Sequence, residues 1–455
     1  MKVVALIFLV FGFATAGIID TIVFVGNQKT KDSYLQGVVS HISKTEYAAK
    51  SDTAIFKALE RTGLFSEIAV VPSQSSQSGD VSVFVILKER GNFSFSDIGG
   101  GFNSTLYGDP SGTWLVFNFS ATYNNLFGIN QRLRFRGQIW QDRYLGIDYL
   151  IPVGASPYFF DVGAFVGRRP SLVFPWELSP YFNTNLGFGR RIGDNQLLYL
   201  ETSPRYRKYN LLKREFDYFG RWKVWDSDDF WEIYQRLYYR FSMGDGDYPP
   251  LFASFAGVGL STNKIMANEN NEHWELSADL KQNIPVSHRA RHSFLLRFRP
   301  KLTLSGERDK YSGLLTGGQD FLRGWGCDIL GSRDSVIFNN LLLGTLEYQF
   351  HIYTFPAMRM FGWLSWYDKS MKEFSPQLVG ALFLDGGHLF KDISSLKESP
   401  HNTGAASAGV SIRLLQCRMR LGGQIDFAWQ IAGNEKYLNT NRSVPNIHLG
   451  FVSQF

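Results

Sequence analysis

From Asn92 to the C-terminus the chain repeats one pattern: segments of about ten residues in which apolar and polar side chains alternate, separated by turn residues. Successive side chains of a strand point to opposite faces, so a period of two marks strands with two unlike faces. In Leu421–Ile431 one face reads Leu421, Gly423, Ile425, Phe427, Trp429 and Ile431. The other reads Gly422, Gln424, Asp426, Ala428 and Gln430. Phe294, Leu296, Phe298, Leu302 and Leu304 share a face opposite Arg297, Arg299 and Lys301. Leu133, Phe135 and Ile139 stand against Arg132, Arg134 and Arg136. A soluble sandwich or propeller also alternates, with its polar side in water. Here the apolar face is rich in Phe, Trp and Leu, and aromatics gather near strand ends, as in Tyr238-Tyr239 and Trp363–Tyr367. That suits a lipid-facing band bounded by aromatic girdles. In lipid every backbone polar group must be paired within the protein, which a closed barrel achieves.

Composition agrees. Aromatics make up 16% of 455 residues and charged residues 19%, with 44 Gly and two Cys. A disordered chain would carry fewer aromatics and more charge. A disulfide-stapled scaffold needs more Cys, although Cys327 and Cys417 can pair in an oxidising compartment. Apolar runs of the length a membrane helix needs are absent beyond the extreme N-terminus. Residues 93–455 hold sixteen strands at about 23 residues per strand and connection, enough for a tilted membrane strand. Seventeen segments can be counted. An even number is expected of a single-chain bacterial barrel, so one segment is expected to be loop. The weakest is Arg207–Asp229.

The N-terminus reads as an address. Met1-Lys2, the apolar stretch Val3–Ala14 and Ala14-Thr15-Ala16 form a secretory signal peptide ending at residue 16. The other reading is a buried strand of a cytosolic domain. Residues 17–91 then form a small α+β module. Ile18–Val25 is a strand closed by Gly26-Asn27. Thr30–Ile42 is a helix with Leu35, Val38, Val39 and Ile42 on one face. A second helix runs from Asp52, as N-cap, to Thr62, with Gly63 as its stop. Phe65–Val71 and Val81–Leu87 are strands. Such a module has a marginal core. Its open sheet edge can accept a strand from a partner, or the module is a passive spacer.

The net charge is +6. Arg132, Arg134, Arg136, Arg297, Arg299, Lys301 and Arg413 lie on polar faces, which point into the lumen of a barrel. Such a wall can select anions, hold an acidic plug or carry internal ion pairs; the last reading is the simplest. Nucleic acid is not an expected partner, because these charges form no patch on a soluble fold. Eight His are scattered, with no HExxH and no G-x-S-x-G. His288 and His292 straddle a turn and make a poor metal pair. Neither an enzyme nor a cofactor or metal site is expected.

One long loop, residues 305–335, carries a specific signal. It contains Gly317-Gly318-Gln319-Asp320-Phe321-Leu322-Arg323-Gly324-Trp325. No Walker Lys-Ser/Thr follows, so a phosphate cradle is disfavoured. An Arg folded into a low-dielectric interior requires an acidic partner. Asp385 lies opposite the apolar parity of Leu378, Leu382 and Leu384. Glu347 lies opposite that of Phe338, Leu342, Leu346, Tyr348 and Phe350. Both therefore face inward, where a planar guanidinium can bridge carboxylates. We expect the loop to tuck into the lumen, latched by Arg323.

The loop motif GGQDFLRGW, followed by TLEYQF and by FLDGG at Phe383–Gly387, resembles the signature of the BamA/TamA-type outer-membrane assembly and translocation superfamily. The N-terminal module resembles its polypeptide-transport-associated (POTRA) domain, with Gly26-Asn27 and Thr62-Gly63-Leu64-Phe65 at the turns. Asn125-Leu126-Phe127-Gly128 and a terminal Phe455 preceded by Ile447, Leu449 and Phe451 also match. Two features depart: a single POTRA domain, and Ser453 in place of an apolar residue. The resemblance implies a 16-stranded barrel whose first and last strands pair weakly, with Gly99, Gly100 and Gly101 on one side and Gly450 and Phe455 on the other. It implies a latch of Arg323 with Asp385 and Glu347, supported by Gly318, Phe321 and Gly324. It implies a bacterial outer membrane, a periplasmic POTRA domain, and unfolded outer-membrane proteins as clients, with periplasmic chaperones or accessory lipoproteins as further partners. An exporter of the two-partner-secretion type, serving one client, is the alternative. A simple porin would need no POTRA domain.

Overall fold

The computed structural model describes residues 18–74, 80–104, 114–140, 143–170, 178–193, 195–216, 222–244, 253–266, 271–287, 291–306, 308, 315–316, 322–325, 330–331, 338–356, 375–392, 402–416, 421–433 and 445–452. Residues 1–16, Gly318, Phe321, Phe455, His288 and both Cys lie outside the described residues.

Two compact units are present. One comprises Met1–Ser94 with Thr122–Leu133 and Tyr149–Phe160; the other comprises Phe95–Ala121, Arg134–Asp148 and Asp161–Phe455. The first begins β1 (Ile19–Val25), α1 (Asp32–Val39), α2 (Ala49–Glu60), β2 (Phe65–Gln74) and β3 (Val81–Glu89). The sheet order is β1-β3-β2, with β1 parallel to β3 and β2 antiparallel to it. Its core joins Ile19, Ile22, Val81, Val83, Val85 and Leu87 to Leu35, Val39, Ile55 and Leu59 of the helices. Both helices differ from the sequence expectation. α1 spans only Asp32–Val39 and is followed by turns. α2 starts at Ala49, three residues before Asp52. The Ser51 hydroxyl accepts the Ala48 N–H (3.1 Å), while Asp52 accepts the Tyr47 hydroxyl (2.8 Å). Asp52 is therefore engaged by a neighbouring side chain, and Ser51 serves the helix start.

The remaining strands are β4 (Phe93–Ser104), β5 (Trp114–Leu126), β6 (Gln131–Trp140), β7 (Arg143–Pro152), β8 (Tyr158–Pro170), β9 (Leu178–Ile192), β10 (Gln196–Phe216), β11 (Trp222–Gly244), β12 (Ala253–Met266), β13 (Asn271–Ser287), β14 (His292–Ser305), β15 (Leu315–Thr316), β16 (Leu330–Gly331), β17 (Asn340–Thr354), β18 (Gln377–Phe390), β19 (Asn402–Gln416), β20 (Leu421–Gly433) and β21 (Asn446–Val452). All except the short β15–β16 pair belong to one closed barrel of sixteen strands, in which β21 meets β4. Among the described residues no helix is long and apolar enough to cross a membrane; the barrel strands are the membrane-spanning elements.

Parity along the strands sorts the side chains. Leu296, Phe298, Leu382, Leu384, Ile412, Ile425 and Ile431 are exposed on the outer face. Ser293, Glu347, Asp385, Ser411, Asp426 and His448 are buried inside. Lipid covers the apolar face, while the inward polar groups must pair. Arg136 makes two 2.6 Å bonds to Asp148, and Arg297 bonds Asp279 at 2.8 and 2.6 Å. Arg207 meets Glu232 at 2.7 Å. The wall thus carries internal ion pairs.

Within Arg207–Asp229 the described residues, 207–216 and 222–229, are strand rather than loop. β10 and β11 pair antiparallel there, Arg207 with Phe230, Lys208 with Asp229 and Leu211 with Asp226. Cross-strand hydrogen bonding carries strands of 21 and 23 residues well past the length lipid requires. An apolar face is not required there, so the sequence signal fades while the strands continue.

Candidate functional site: a latched loop and an adjoining seam

The latch is built on inward positions of consecutive strands. Glu347 comes from β17 and Asp385 from β18, both about 1% exposed. Arg323 enters from the loop between β14 and β17 and is 5% exposed. Its Nε donates to Asp385 Oδ2 at 2.7 Å and its Nη2 to Oδ1 at 2.9 Å. Its Nη1 donates to Glu347 Oε2 at 3.0 Å. The Arg323 backbone N–H also donates to Asp385, at 3.2 Å. Beneath the guanidinium lies Phe383, with Cζ 3.5 Å from the ring centroid. Cation–π contact is strongest when desolvated, so the Arg is held on its face as well as its edges. This forked geometry suits Arg and is unavailable to Lys.

Arg413 of β19 completes the cluster. Its Nη1 and Nη2 bond Glu347 at 2.5 and 2.7 Å. Gln349 adds a bond to Glu347 at 2.6 Å. Burying charges is costly unless partners and hydrogen bonds compensate. Here two guanidinium groups face the two carboxylates, with Asp426 4.0 Å from Arg323.

The residue after Arg323 grips other strands. Gly324 has φ +91°, a conformation that L side chains rarely adopt. Its N–H donates to His448 Nε2 of β21 at 3.1 Å. Its carbonyl accepts from Gln430 of β20 at 2.9 Å and from the Asn446 carboxamide of β21.

Leu322 and Trp325, both fully buried, flank this dipeptide and pack with Phe338, Leu341, Leu343, Leu389 and Ala405. Its parity predicted a lipid-facing Phe338; instead Phe338 is buried in the loop core. β17 starts at Asn340, whose side chain accepts the Thr303 N–H (2.9 Å) and donates to the Lys391 carbonyl (2.8 Å). Parity has no meaning before the strand begins, and Phe338 turns into the loop's core. On β20, Gly433 makes room for the indole: a Cβ there would lie 2.2 Å from Trp325 Cη2. Gly433→Ala is expected to destabilise the seated loop by about 1–3 kcal/mol, the usual range for overpacking, seen as a lower urea midpoint in lipid. Gly423→Ala on the same strand, with nothing within 4 Å of its Cβ, should leave that midpoint unchanged.

The seam lies where β21 meets β4. Among the described residues four pairs join them: Ile447 with Ser104, His448 with Asn103, Leu449 with Phe102, and Gly450 with Gly101. β17 and β18 share fourteen, from Asn340–Phe390 to Thr354–Gln377. Gly99 and Gly100 lie on β4 beyond the last pair.

The structure thus brings Arg323, Gly324, Glu347 and Asp385 together, and sets Gly101 opposite Gly450. Sequence reasoning missed Arg413 as a latch member, and gave no contact with the loop to Gln430, Asn446, His448 or Phe383 and no packing role to Trp325. Strand parity places the first five on the inner wall, but only the loop's path shows which of them it meets. Among the described residues no group of three or more His, Cys, Asp or Glu is placed to hold a metal.

A family model described as the Omp85 superfamily domain matches residues 125–451. Outer envelope protein 80, chloroplastic, of Arabidopsis thaliana is 35% identical over 93 residues, covering 20% of this chain and 12% of that protein. Among solved structures, BamA from Haemophilus ducreyi lacking POTRA domains 1–3 superposes with a TM-score of 0.64 at 15% identity, covering 96% of this chain and 84% of that one. CdiB from Acinetobacter baumannii gives 0.60 at 12% identity, covering 96% and 73%. At these identities the structural likeness is one of fold.

Proposed function

The chain belongs to the Omp85 superfamily, and on that premise we propose that it inserts β-barrel proteins into a bacterial outer membrane through the seam between β4 and β21. It is an outer-membrane β-barrel protein of a non-enzymatic assembly and transport family. The observation that carries the proposal is the seam, which holds four pairs among the described residues. An unpaired backbone group in lipid costs several kcal/mol, so a barrel opens only where little pairing is lost and something replaces it. A client strand can add to the freed edge of β4, exchanging one set of ladder bonds for another. The paired Gly101 and Gly450 contribute no side-chain packing at the last rung. The Arg323 latch ties the loop to β17 and β18, whose long registers remain closed while the seam opens.

In this reading residues 17–91 form a POTRA domain on the periplasmic side. Its β-α-α-β-β order and its edge strands β1, bridged only at Ile18–Ile19 among the described residues, and β2 support strand capture from unfolded clients. Periplasmic chaperones or accessory lipoproteins would deliver them.

Depletion of the protein followed by outer-membrane proteomics tests the reading. Broad loss of β-barrel proteins is the expected outcome. Loss of one secreted protein, with the barrels intact, would make the chain a dedicated exporter of the two-partner-secretion type instead.

A further inference from the structure

The loop does more than sit in the lumen. Arg323 and Gly324 are adjacent, yet they bond to different parts of the wall. Arg323 holds β17 and β18 through Glu347 and Asp385. Gly324 holds β20 through Gln430 and β21 through Asn446 and His448. One dipeptide therefore bridges the well-paired wall and the last strand of the barrel. Among the described residues β21 also pairs with β20 at seven positions and with β4 at four.

The side chains involved are committed to this contact. His448 is fully buried and Asn446 is 2% exposed. Both lie on the inward parity of β21, while Leu449 is exposed on the outer face. His448 accepts the Gly324 N–H at Nε2, which places its proton on Nδ1. His448 is also the residue of β21 that pairs with Asn103 of β4 and with Asp426 of β20. The position that receives the loop is thus itself a rung of the seam. A β21 that swings away from β4 must carry His448 and Asn446 off Gly324, or drag the loop with it.

We propose that His448 and Asn446 are positioning residues that tie the loop to the seam strand, so that seating of the loop and closure of the seam form one coupled equilibrium. The proposal rests on the seam reading above and adds to it a specific link between the Arg323 latch and the edge that a client must reach. Coupling of this kind is reciprocal. Unlatching Arg323 loosens β21, and a client strand that displaces β21 loosens the loop.

The test is amide hydrogen exchange of the full chain in phospholipid nanodiscs, without any client, read in peptides covering residues 93–104 and 446–452 and in β12–β13 as a control. Arg323→Ala is expected to speed exchange at least fivefold in both seam peptides and to leave the control unchanged. His448→Leu combined with Asn446→Leu should give a comparable rise, and adding Arg323→Ala to that pair should produce no further change. His448→Gln, which keeps an acceptor for the Gly324 N–H, should stay within twofold of the native rate. Seam exchange unmoved by Arg323→Ala overturns the proposal, and so do additive effects of the latch and β21 substitutions. If the β21 pair does not fold, Arg323→Ala alone decides. The readout needs no client, so coupling can fail while the insertion reading stands, and insertion can fail while coupling stands.

Discussion

Arg323→Ala is expected to unseat the loop, to loosen the β4–β21 seam and to abolish most of the assembly activity, with the rest of the barrel still formed. The guanidinium makes two bonds to Asp385 and one to Glu347. Its loss has unequal consequences for those two acids. Glu347 keeps Arg413, which binds it through both oxygens. Asp385, about 1% exposed, is left as a buried carboxylate without its cation. Breaking a buried pair by removing one partner costs about 3–5 kcal/mol, and each 1.4 kcal/mol is roughly a factor of ten. The seated population should therefore fall by more than about a hundredfold. The denaturation midpoint in lipid and the rate at which a reporter outer-membrane protein folds into vesicles should fall together. Arg323→Lys should recover only part of the loss, because an ammonium cannot reproduce the fork. Asp385→Asn added to Arg323→Ala should restore stability relative to Arg323→Ala, since it removes the stranded charge. A variant with native stability and native folding rates would show that the cluster is not a latch.

Most of the barrel is legible in the sequence because lipid and lumen impose opposite demands on neighbouring residues. Parity alone puts Glu347, Asp385 and Arg413 on the inner wall, and all three are found there with Arg323. It stops working where those demands stop. Within Arg207–Asp229 the β10 and β11 strands continue on backbone pairing, which leaves no period-two signal in the sequence. At Phe338 the strand has not begun, and the side chain joins Leu322 and Trp325 in the loop core. The start of α2 was misread for a local reason: Asp52 has the chemistry of a cap, but the Tyr47 hydroxyl engages it and Ser51 serves the helix. The contacts of Gly324 with Asn446 and His448 were beyond reach for a different reason. A backbone amide carries no sequence signature, and its partners are more than a hundred positions away.

On the proposed function β4 and β21 must separate for a client to insert, and locking them together is the most direct test. Phe102 and Leu449 are directly opposed across the seam, so cysteines placed there lie at cross-strand distance, within the reach of a disulfide. The pair Phe102→Cys and Leu449→Cys would be introduced with Cys327→Ser and Cys417→Ser, so that no other disulfide forms. A second pair, Leu382→Cys with Val410→Cys, opposed between β18 and β19, serves as the control. Purified protein in phospholipid vesicles is oxidised, and the folding rate of a reporter outer-membrane protein is measured before and after reduction. The seam pair is predicted to lose at least tenfold in rate when oxidised and to recover on reduction, with the control indifferent to both. A seam-locked protein that folds the reporter at the rate of its reduced form would show that insertion does not pass through the β4–β21 seam.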